Sequence, residues 1–187
     1  MINILFVFLL AFTGSALAAE ASRPDSYNLG RSVDAAEISA WDIDVSPDGR
    51  GLPDGSGTVQ QGEKIYLQKC ASCHGEKGTG NRPFPALVGR FPDDAFPFGK
   101  DPSAVKTVGN YWPYATTLYD YVNRAMPFND PGSLENNEVY ALVAYILHKN
   151  EIVSSDTVLS AKNLAAISMP ARHRFVPDNR HGGPEVR

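Results

Sequence analysis

The chain has 187 residues, a formal net charge of −4 at pH 7 and a sequence pI of about 5.5. This length is typical of one domain with additional segments, and the apolar fraction of 43% is ordinary for a globular protein. The acidic balance argues against a nucleic-acid-binding protein, because such proteins concentrate basic side chains on the binding face.

Residues 1–18 are predicted to be a signal peptide. A short apolar run is followed by Ser15-Ala16-Leu17-Ala18, which has the small-residue pattern of a cleavage site. An uncleaved membrane anchor is the alternative, but the run is shorter than the roughly 20 residues that a spanning helix needs. We therefore expect an exported, periplasmic protein without a membrane span after cleavage.

Residues 19–57 are predicted to form an N-terminal arm. The segment 44–57 is dense in Asp, Gly, Pro and Ser, which favour turns. Such a segment cannot form a core alone, so we expect it to lie over the neighbouring domain or over a partner.

A helix is predicted from about Val59 into Cys70. Gly62 and Tyr66 share one face of this helix at helical spacing. The missing side chain of Gly62 would let another helix approach closely.

The chain has two cysteines, and they belong to one motif. Cys70, Cys73 and His74 form the pattern C-x-x-C-H, the attachment pattern of haem c. The two thiols can reach both vinyl groups of one porphyrin, and the imidazole that follows is a good neutral ligand for iron. The motif therefore predicts one covalently bound haem c with His74 as an axial ligand.

Three other uses of a C-x-x-C pair agree less well with the sequence. A disulfide is common in exported chains, but it leaves the adjacent His74 unexplained. A thioredoxin-like pair needs a βαβ context, which is not found. A zinc site needs about four ligands, whereas the remaining histidines, His148, His173 and His181, lie far downstream.

The loop after the motif is expected to support the histidine. A metal-bound histidine usually donates its second ring N–H to a carbonyl or carboxylate, and the Pro85 carbonyl is the candidate acceptor. Leu87 would then pack on the porphyrin. A plain proline-containing loop is the alternative.

Polar groups further along the chain could bind the haem propionates. Tyr111 and Trp112 each carry one hydrogen-bond donor, and Arg124 could bind a carboxylate through two parallel hydrogen bonds. Simple core packing of these side chains is the alternative.

A short helix is predicted to start at Thr117, with Asp120 completing a capping box. It should end before Met126-Pro127, because proline cannot continue a helix. The Met126 thioether could then bind the opposite face of the iron, and His/Met ligation suits electron transfer. A gap-filling role for this methionine in the core is the alternative. Three other residues stay candidates for the same ligand position: Met169, His173 and His181.

The last core helix is predicted from about Glu135 to Lys149. Apolar residues recur along it at i, i+3, i+4 and i+7, which indicates an amphipathic helix. Tyr145 lies beside this stripe and could cross Tyr66 and Gly62 of the first helix. Residues 151–187 are predicted to be a C-terminal arm, either a flexible tail or a docking strap for a partner subunit.

The segment from about residue 58 to 150 resembles the class I cytochrome c family. The resemblance rests on Cys70–His74, Pro85–Leu87 and Met126. It implies an all-α fold, namely a small helical bundle around one haem, here with long irregular N- and C-terminal arms. The family function is the transfer of single electrons.

A narrower resemblance extends beyond this segment. It is a resemblance to the cytochrome subunits of molybdenum sulfite or sulfane dehydrogenases, including the Sox sulfur-oxidation type. The segments that carry it are residues 41–45, 47–53, 111–117, 124–128, 138–142 and 169–172. The Sox subunit usually has a second cytochrome domain, which this sequence does not show. The resemblance implies that a molybdenum subunit passes electrons to this haem, and that a soluble cytochrome or terminal oxidase receives them.

Two other functions stay open at this point. A freestanding shuttle cytochrome would need neither a fixed partner nor the arms. A haem enzyme would need an open sixth position on the iron, which a methionine ligand at 126 would fill.

Overall fold

The structure, a computed structural model, describes residues 27, 29–90 and 95–176. This part of the chain contains six α-helices and one pair of short strands. The helices are α1 (Ala35–Trp41), α2 (Val59–Lys69), α3 (Ala71–His74), α4 (Val108–Tyr111), α5 (Ala115–Ala125) and α6 (Asn136–Lys149). The strands are β1 (Ser56–Thr58) and β2 (Val158–Ser160). The predicted signal peptide lies outside the described residues.

Helices α2 and α6 form the centre of the fold. α2 begins at a reciprocal capping box, in which the Thr58 hydroxyl accepts from the Gln61 N–H at 3.1 Å and the Gln61 side chain accepts from the Thr58 N–H at 2.9 Å. In α6, nine consecutive residues from Val139 to Leu147 are buried. α6 is therefore covered around its whole circumference, beyond the single apolar stripe seen in the sequence.

The two central helices cross at a glycine. A Cβ atom at Gly62 would lie 1.9 Å from the carbonyl oxygen of Ala141, so no larger residue fits there without a shift of the helices. The rings of Tyr66 and Tyr145 meet beside this point, with their centroids 5.2 Å apart. This confirms the predicted contact between the two helices.

Helix α5 begins earlier than predicted, at Ala115 instead of Thr117. The predicted capping box is wrong, because the Asp120 carboxylate makes a tertiary contact instead: it accepts a hydrogen bond from the backbone N–H of Val45 at 2.9 Å. The same carboxylate forms an ion pair with Arg124. The helix ends at Ala125, as the proline downstream requires.

A short two-stranded sheet, which was not predicted, accompanies the helices. β1 and β2 pair antiparallel, with Gly57 opposite Leu159. A Cβ atom at Gly57 would lie 2.2 Å from the backbone nitrogen of Ala141, so the strand pair rests directly on α6. The fold is mostly helical, and the sheet joins the segments that precede α2 and follow α6.

The described part of the predicted C-terminal arm is packed against the helices. Leu159, Leu164, Met169 and Ala171 are each at most 4% exposed. For these residues, a flexible tail is therefore ruled out. The sequence hides this packing because the buried residues are spaced irregularly in non-helical backbone. The domain and arm boundaries proposed from the sequence stay a prediction.

The N-terminal segment divides into a packed part and an exposed part. Val45 is buried, and the Tyr140 hydroxyl donates to the Pro53 carbonyl at 2.8 Å. Helix α1 was not predicted, although Asp34 caps it by accepting from the Glu37 N–H at 2.8 Å. It has no buried residue.

Across the described residues, every helix is too short or too polar to traverse a lipid bilayer.

Candidate cofactor site

Cys70 lies between α2 and α3, and Cys73 and His74 lie on the single turn that forms α3. The Cys70 carbonyl accepts from the backbone N–H of Cys73 at 3.1 Å and from that of His74 at 2.9 Å. Both cysteines are free thiols and partly buried. This turn brings the two sulfur atoms and the imidazole to one wall of a cavity.

The histidine ring is oriented by the loop that follows. His74 Nδ1 lies 2.8 Å from the carbonyl oxygen of Pro85. Because a carbonyl oxygen can only accept, Nδ1 carries a proton, and the tautomer that can bind a metal then has its free electron pair on Nε2. The contact predicted between these two residues is confirmed, and it leaves Nε2 as the atom available to a metal.

The cavity beside His74 has a volume of about 470 Å³, within the range of cofactor sites. Apolar side chains from α4, α5 and α6 form much of its wall: Val108, Leu118, Val122, Leu142 and Ile146. An apolar wall excludes water and raises the cost of an added charge, so it influences the redox properties of a group bound inside.

The structure brings seven of the eight residues predicted to bind the cofactor to this cavity: Cys70, Cys73, His74, Pro85, Leu87, Trp112 and Met126. The eighth, Arg124, is not among the described lining residues, and its guanidinium pairs with Asp120 instead. Tyr111 is also absent from the lining, because its ring stacks on Phe98 at a centroid distance of 4.9 Å.

Met126 and Met169 occupy different environments. Met126 follows α5 directly, its backbone N–H donates to the Val122 carbonyl at 3.2 Å, and its side chain lines the cavity. Met169 is 2% exposed within the core and is not among the described lining residues. Of the two methionines, Met126 is therefore the one placed to bind a metal in the cavity.

Sequence reasoning missed several lining residues. Lys106 reaches the cavity and its ammonium lies 4.8 Å from the centroid of the Tyr111 ring. A cation here suits a carboxylate of a bound group. Phe84 and Phe128 also line the cavity, and they are 36% and 76% exposed. No periodic pattern marks these residues, because they lie in loops whose path depends on tertiary packing.

The geometry disfavours the other uses of a C-x-x-C pair. Burial raises the pKa of the Cys70 thiol to about 11, whereas redox-active cysteine pairs have a lowered pKa. Among the described residues, no group of three or more His, Cys, Asp or Glu side chains is placed to hold a metal ion, as a zinc site requires.

Comparisons with known proteins agree with this site. The family model described as cytochrome c oxidase, cbb3-type, subunit III matches residues 57–146. The cytochrome c of Sesamum indicum is 34% identical over 99 residues, which cover 48% of this chain and 88% of that protein. The solved structure of the sulfane dehydrogenase SoxCD from Paracoccus pantotrophus matches with 42% identity and a TM-score of 0.72, over 83% of this chain and 74% of that one.

The chain is also similar to parts of two thiosulfate dehydrogenases. The thiosulfate dehydrogenase of Stutzerimonas stutzeri is 27% identical over 99 residues, which cover 50% of this chain. That of Psychrobacter arcticus is 27% identical over 114 residues, or 56% of this chain. The matches span only 28% and 31% of those two enzymes.

Proposed function

The chain belongs to the cytochrome c family, and from this premise we propose that it binds one haem at Cys70 and Cys73 and transfers single electrons. His74 and Met126 are the proposed axial ligands. The observation that carries the proposal is the single cavity lined by both thiols, the imidazole and the Met126 thioether. A covalently bound haem supplies one-electron chemistry at its iron.

The residues of the chain have separate proposed roles around this group. Cys70 and Cys73 fix it covalently, and His74 offers Nε2 while the Pro85 carbonyl holds the ring orientation. A thioether on the opposite side raises the reduction potential compared with a second histidine. Lys106 is proposed to pair with a propionate, the role that the sequence assigned to Arg124.

Replacement of the two described methionines tests the ligand assignment. We expect Met126→Leu to abolish the weak methionine-to-ferric-iron absorption band of the oxidised protein. Met169→Leu should keep that band, because Met169 lies in the core away from the cavity. Loss of the band in Met169→Leu alone, or a colourless parent protein after expression with the haem c maturation machinery, would contradict the proposal.

We further propose that the electron donor is a molybdenum-containing dehydrogenase that oxidises a sulfur compound. The 42% identity with a sulfane dehydrogenase structure supports this partner. Helix α1 supplies a physical reason for a fixed contact: Ile38 is 52% exposed and Trp41 is 87% exposed. A seven-residue helix is not stable without packing, and exposed apolar patches mark interaction surfaces.

Purification from the native source with iron and molybdenum analysis tests this partner. We expect both metals in one complex, and we expect Ile38→Ser with Trp41→Ser to release the cytochrome from it. Leu67→Ser is the control, because Leu67 is 52% exposed on α2, outside the proposed surface. Retention of the complex by the double variant would contradict a contact through α1.

The cellular setting is also a proposal. An 18-residue signal peptide directs export, so the mature protein would begin at Ala19 in the periplasm, and N-terminal sequencing of the native protein tests this. The electrons would pass on to a soluble cytochrome or a terminal oxidase.

A freestanding shuttle is the second candidate function. The match to a small cytochrome c over 88% of its length favours it. It predicts that the native protein elutes alone, and that substitutions on α1 leave every electron-transfer rate unchanged.

A further inference from the structure

Asn150, the residue after α6, is polar but only 1% exposed. Both polar atoms of its amide are hydrogen-bonded: Nδ2 donates to the Ile146 carbonyl at 2.8 Å and to the Leu87 carbonyl at 3.1 Å. Its Oδ1 accepts from the Gly89 N–H at 3.0 Å. A buried amide is costly unless it is hydrogen-bonded. Here the bonds connect the end of α6 to the loop that follows the histidine.

That loop carries the acceptor of the histidine ring. The Pro85 carbonyl binds His74 Nδ1 at 2.8 Å, two residues before Leu87. On its other side the Leu87 N–H donates to the Gly78 carbonyl at 2.8 Å. Because peptide units are planar, only the two backbone torsions of Ala86 separate the fixed Leu87 N–H from the Pro85 carbonyl. The backbone there also packs against Gly80, where an added Cβ atom would lie 2.9 Å from the Ala86 nitrogen.

Helix α4 contacts both this loop and Asn150. The Val108 N–H donates to the Leu87 carbonyl at 3.1 Å. A Cβ atom at Gly109 would lie 2.4 Å from Asn150 Oδ1. The Asn150 amide therefore lies between the loop and the backbone of α4, in close contact with Gly109.

We propose that Asn150 is a positioning residue for the axial histidine. Through the Leu87–Gly89 loop it keeps the Pro85 carbonyl at hydrogen-bond distance from His74 Nδ1. A firm Nδ1–H bond makes the imidazole a more basic ligand, which favours the oxidised iron. Asn150 thereby holds the reduction potential down. This inference rests on the proposed function, because it requires His74 to bind the haem iron.

Two variants test the proposal, one by changing Asn150 itself and the other by changing its neighbour Gly109. Asn150→Asp keeps the size and the acceptor for Gly89, but it replaces the Nδ2 donor with an oxygen that faces two carbonyls. Gly109→Ala leaves Asn150 unchanged and displaces its amide with an added methyl group. If Asn150→Asp does not fold, the result for Gly109→Ala decides whether the proposal holds.

Asn163→Asp is the control. Asn163 is exposed, unlike Asn150, but it makes the same two kinds of bond: its Nδ2 donates to the Val158 carbonyl at 2.8 Å, and its Oδ1 accepts from the Ser160 N–H at 2.8 Å. It lies beside β2 and is not among the described residues that line the cavity. The control therefore separates the general effect of losing an asparagine amide from the effect of losing the Asn150 amide.

The haem-loaded full-length proteins are compared in a redox titration and by NMR exchange of the His74 ring N–H. At a fixed applied potential we expect both test variants to raise the ratio of reduced to oxidised protein about threefold. This is smaller than the roughly 10- to 100-fold loss of metal affinity or activity that follows removal of a group bonded directly to a metal ligand. The ring N–H should exchange faster. Asn163→Asp should change neither quantity.

The outcomes separate this inference from the proposed function. Test variants that keep the parent's potential and ring N–H exchange overturn the positioning role alone. A shift of equal size in Asn163→Asp overturns it as well. A parent protein without a low-spin histidine–methionine spectrum overturns the proposed function, and the inference with it.

Discussion

Asp120 and Val45 are joined by a buried hydrogen bond, in which the Asp120 carboxylate accepts the backbone N–H of Val45 at 2.9 Å. The same carboxylate accepts from Arg124 Nε at 2.9 Å. Because α5 ends immediately before Met126, this contact fixes the helix that carries the proposed ligand against the segment that follows α1. The cavity wall and the N-terminal segment are therefore one packed unit.

Replacement of Asp120 tests the strength of this link. Asp120→Asn keeps one acceptor oxygen but loses the ion pair, so we expect a loss of about 2 kcal/mol in the free energy of unfolding, as for a charged hydrogen bond. Asp48→Asn is the control, since the ion pair of Asp48 with Arg50 is exposed and should contribute little. Urea denaturation measures both. Equal losses in the two variants would contradict the assignment.

The crossing of α2 and α6 depends on the absence of a side chain at Gly62. Gly62→Ala places a methyl group against the Ala141 carbonyl, so we expect a loss of about 2–3 kcal/mol from the strain of overpacking. Gly99→Ala is the comparison, because no atom lies within 4 Å of a Cβ at that position. Thermal unfolding distinguishes them, and a Gly62→Ala protein as stable as the parent would refute the packing argument.

The first turn of α6 makes stability depend on pH. The Glu138 carboxylate accepts a hydrogen bond from the Glu135 N–H, and this bond lowers the pKa of Glu138 from its ordinary value of 4.5. The contact with Lys69 lowers the pKa further. A lowered pKa in the folded state stabilises the protein above pH 4.5, and this contribution is lost as pH falls through the folded pKa. Glu138→Gln should therefore cost about 0.5 kcal/mol at pH 7.

The measurement is urea unfolding of the parent and the Glu138→Gln protein over a pH series. The difference between them should shrink as the pH is lowered below 4.5 and vanish once Glu138 is protonated in the folded state. A difference that stays constant over the whole series would show that the charge of Glu138 plays no part.

Removal of the hydroxyl group should have opposite effects on stability at two buried tyrosines, Tyr119 on α5 and Tyr140 on α6. The Tyr119 hydroxyl is buried and makes no hydrogen bond to any described residue, whereas the Tyr140 hydroxyl donates to Pro53. Removing an unpaired buried hydroxyl is neutral or favourable, so Tyr119→Phe should keep or raise stability. Tyr140→Phe should lower it by about 1 kcal/mol. Differential scanning calorimetry of both variants checks the pair, and the reverse order of stabilities would contradict it.

The attachment motif and the two central helices could be predicted from the sequence because their signals are local. C-x-x-C-H defines its chemistry within five positions, and α2 and α6 repeat apolar residues at helical spacing. The Pro85 carbonyl could also be identified, since a metal-binding histidine needs an acceptor and Pro85 follows closely in sequence. These inferences needed no knowledge of how distant segments meet.

Tertiary structure alone decided the remaining partners, because each depends on segments far apart in the chain. The Asp120 carboxylate that pairs with Arg124 also accepts from the backbone N–H of Val45, which lies 75 residues away in the sequence. Lys106 reaches the cavity through a loop without periodicity. In the sequence, Asn150 is simply the residue that follows the predicted last helix. Its amide donates to the Leu87 carbonyl because the loop that contains Leu87 folds back onto the end of α6.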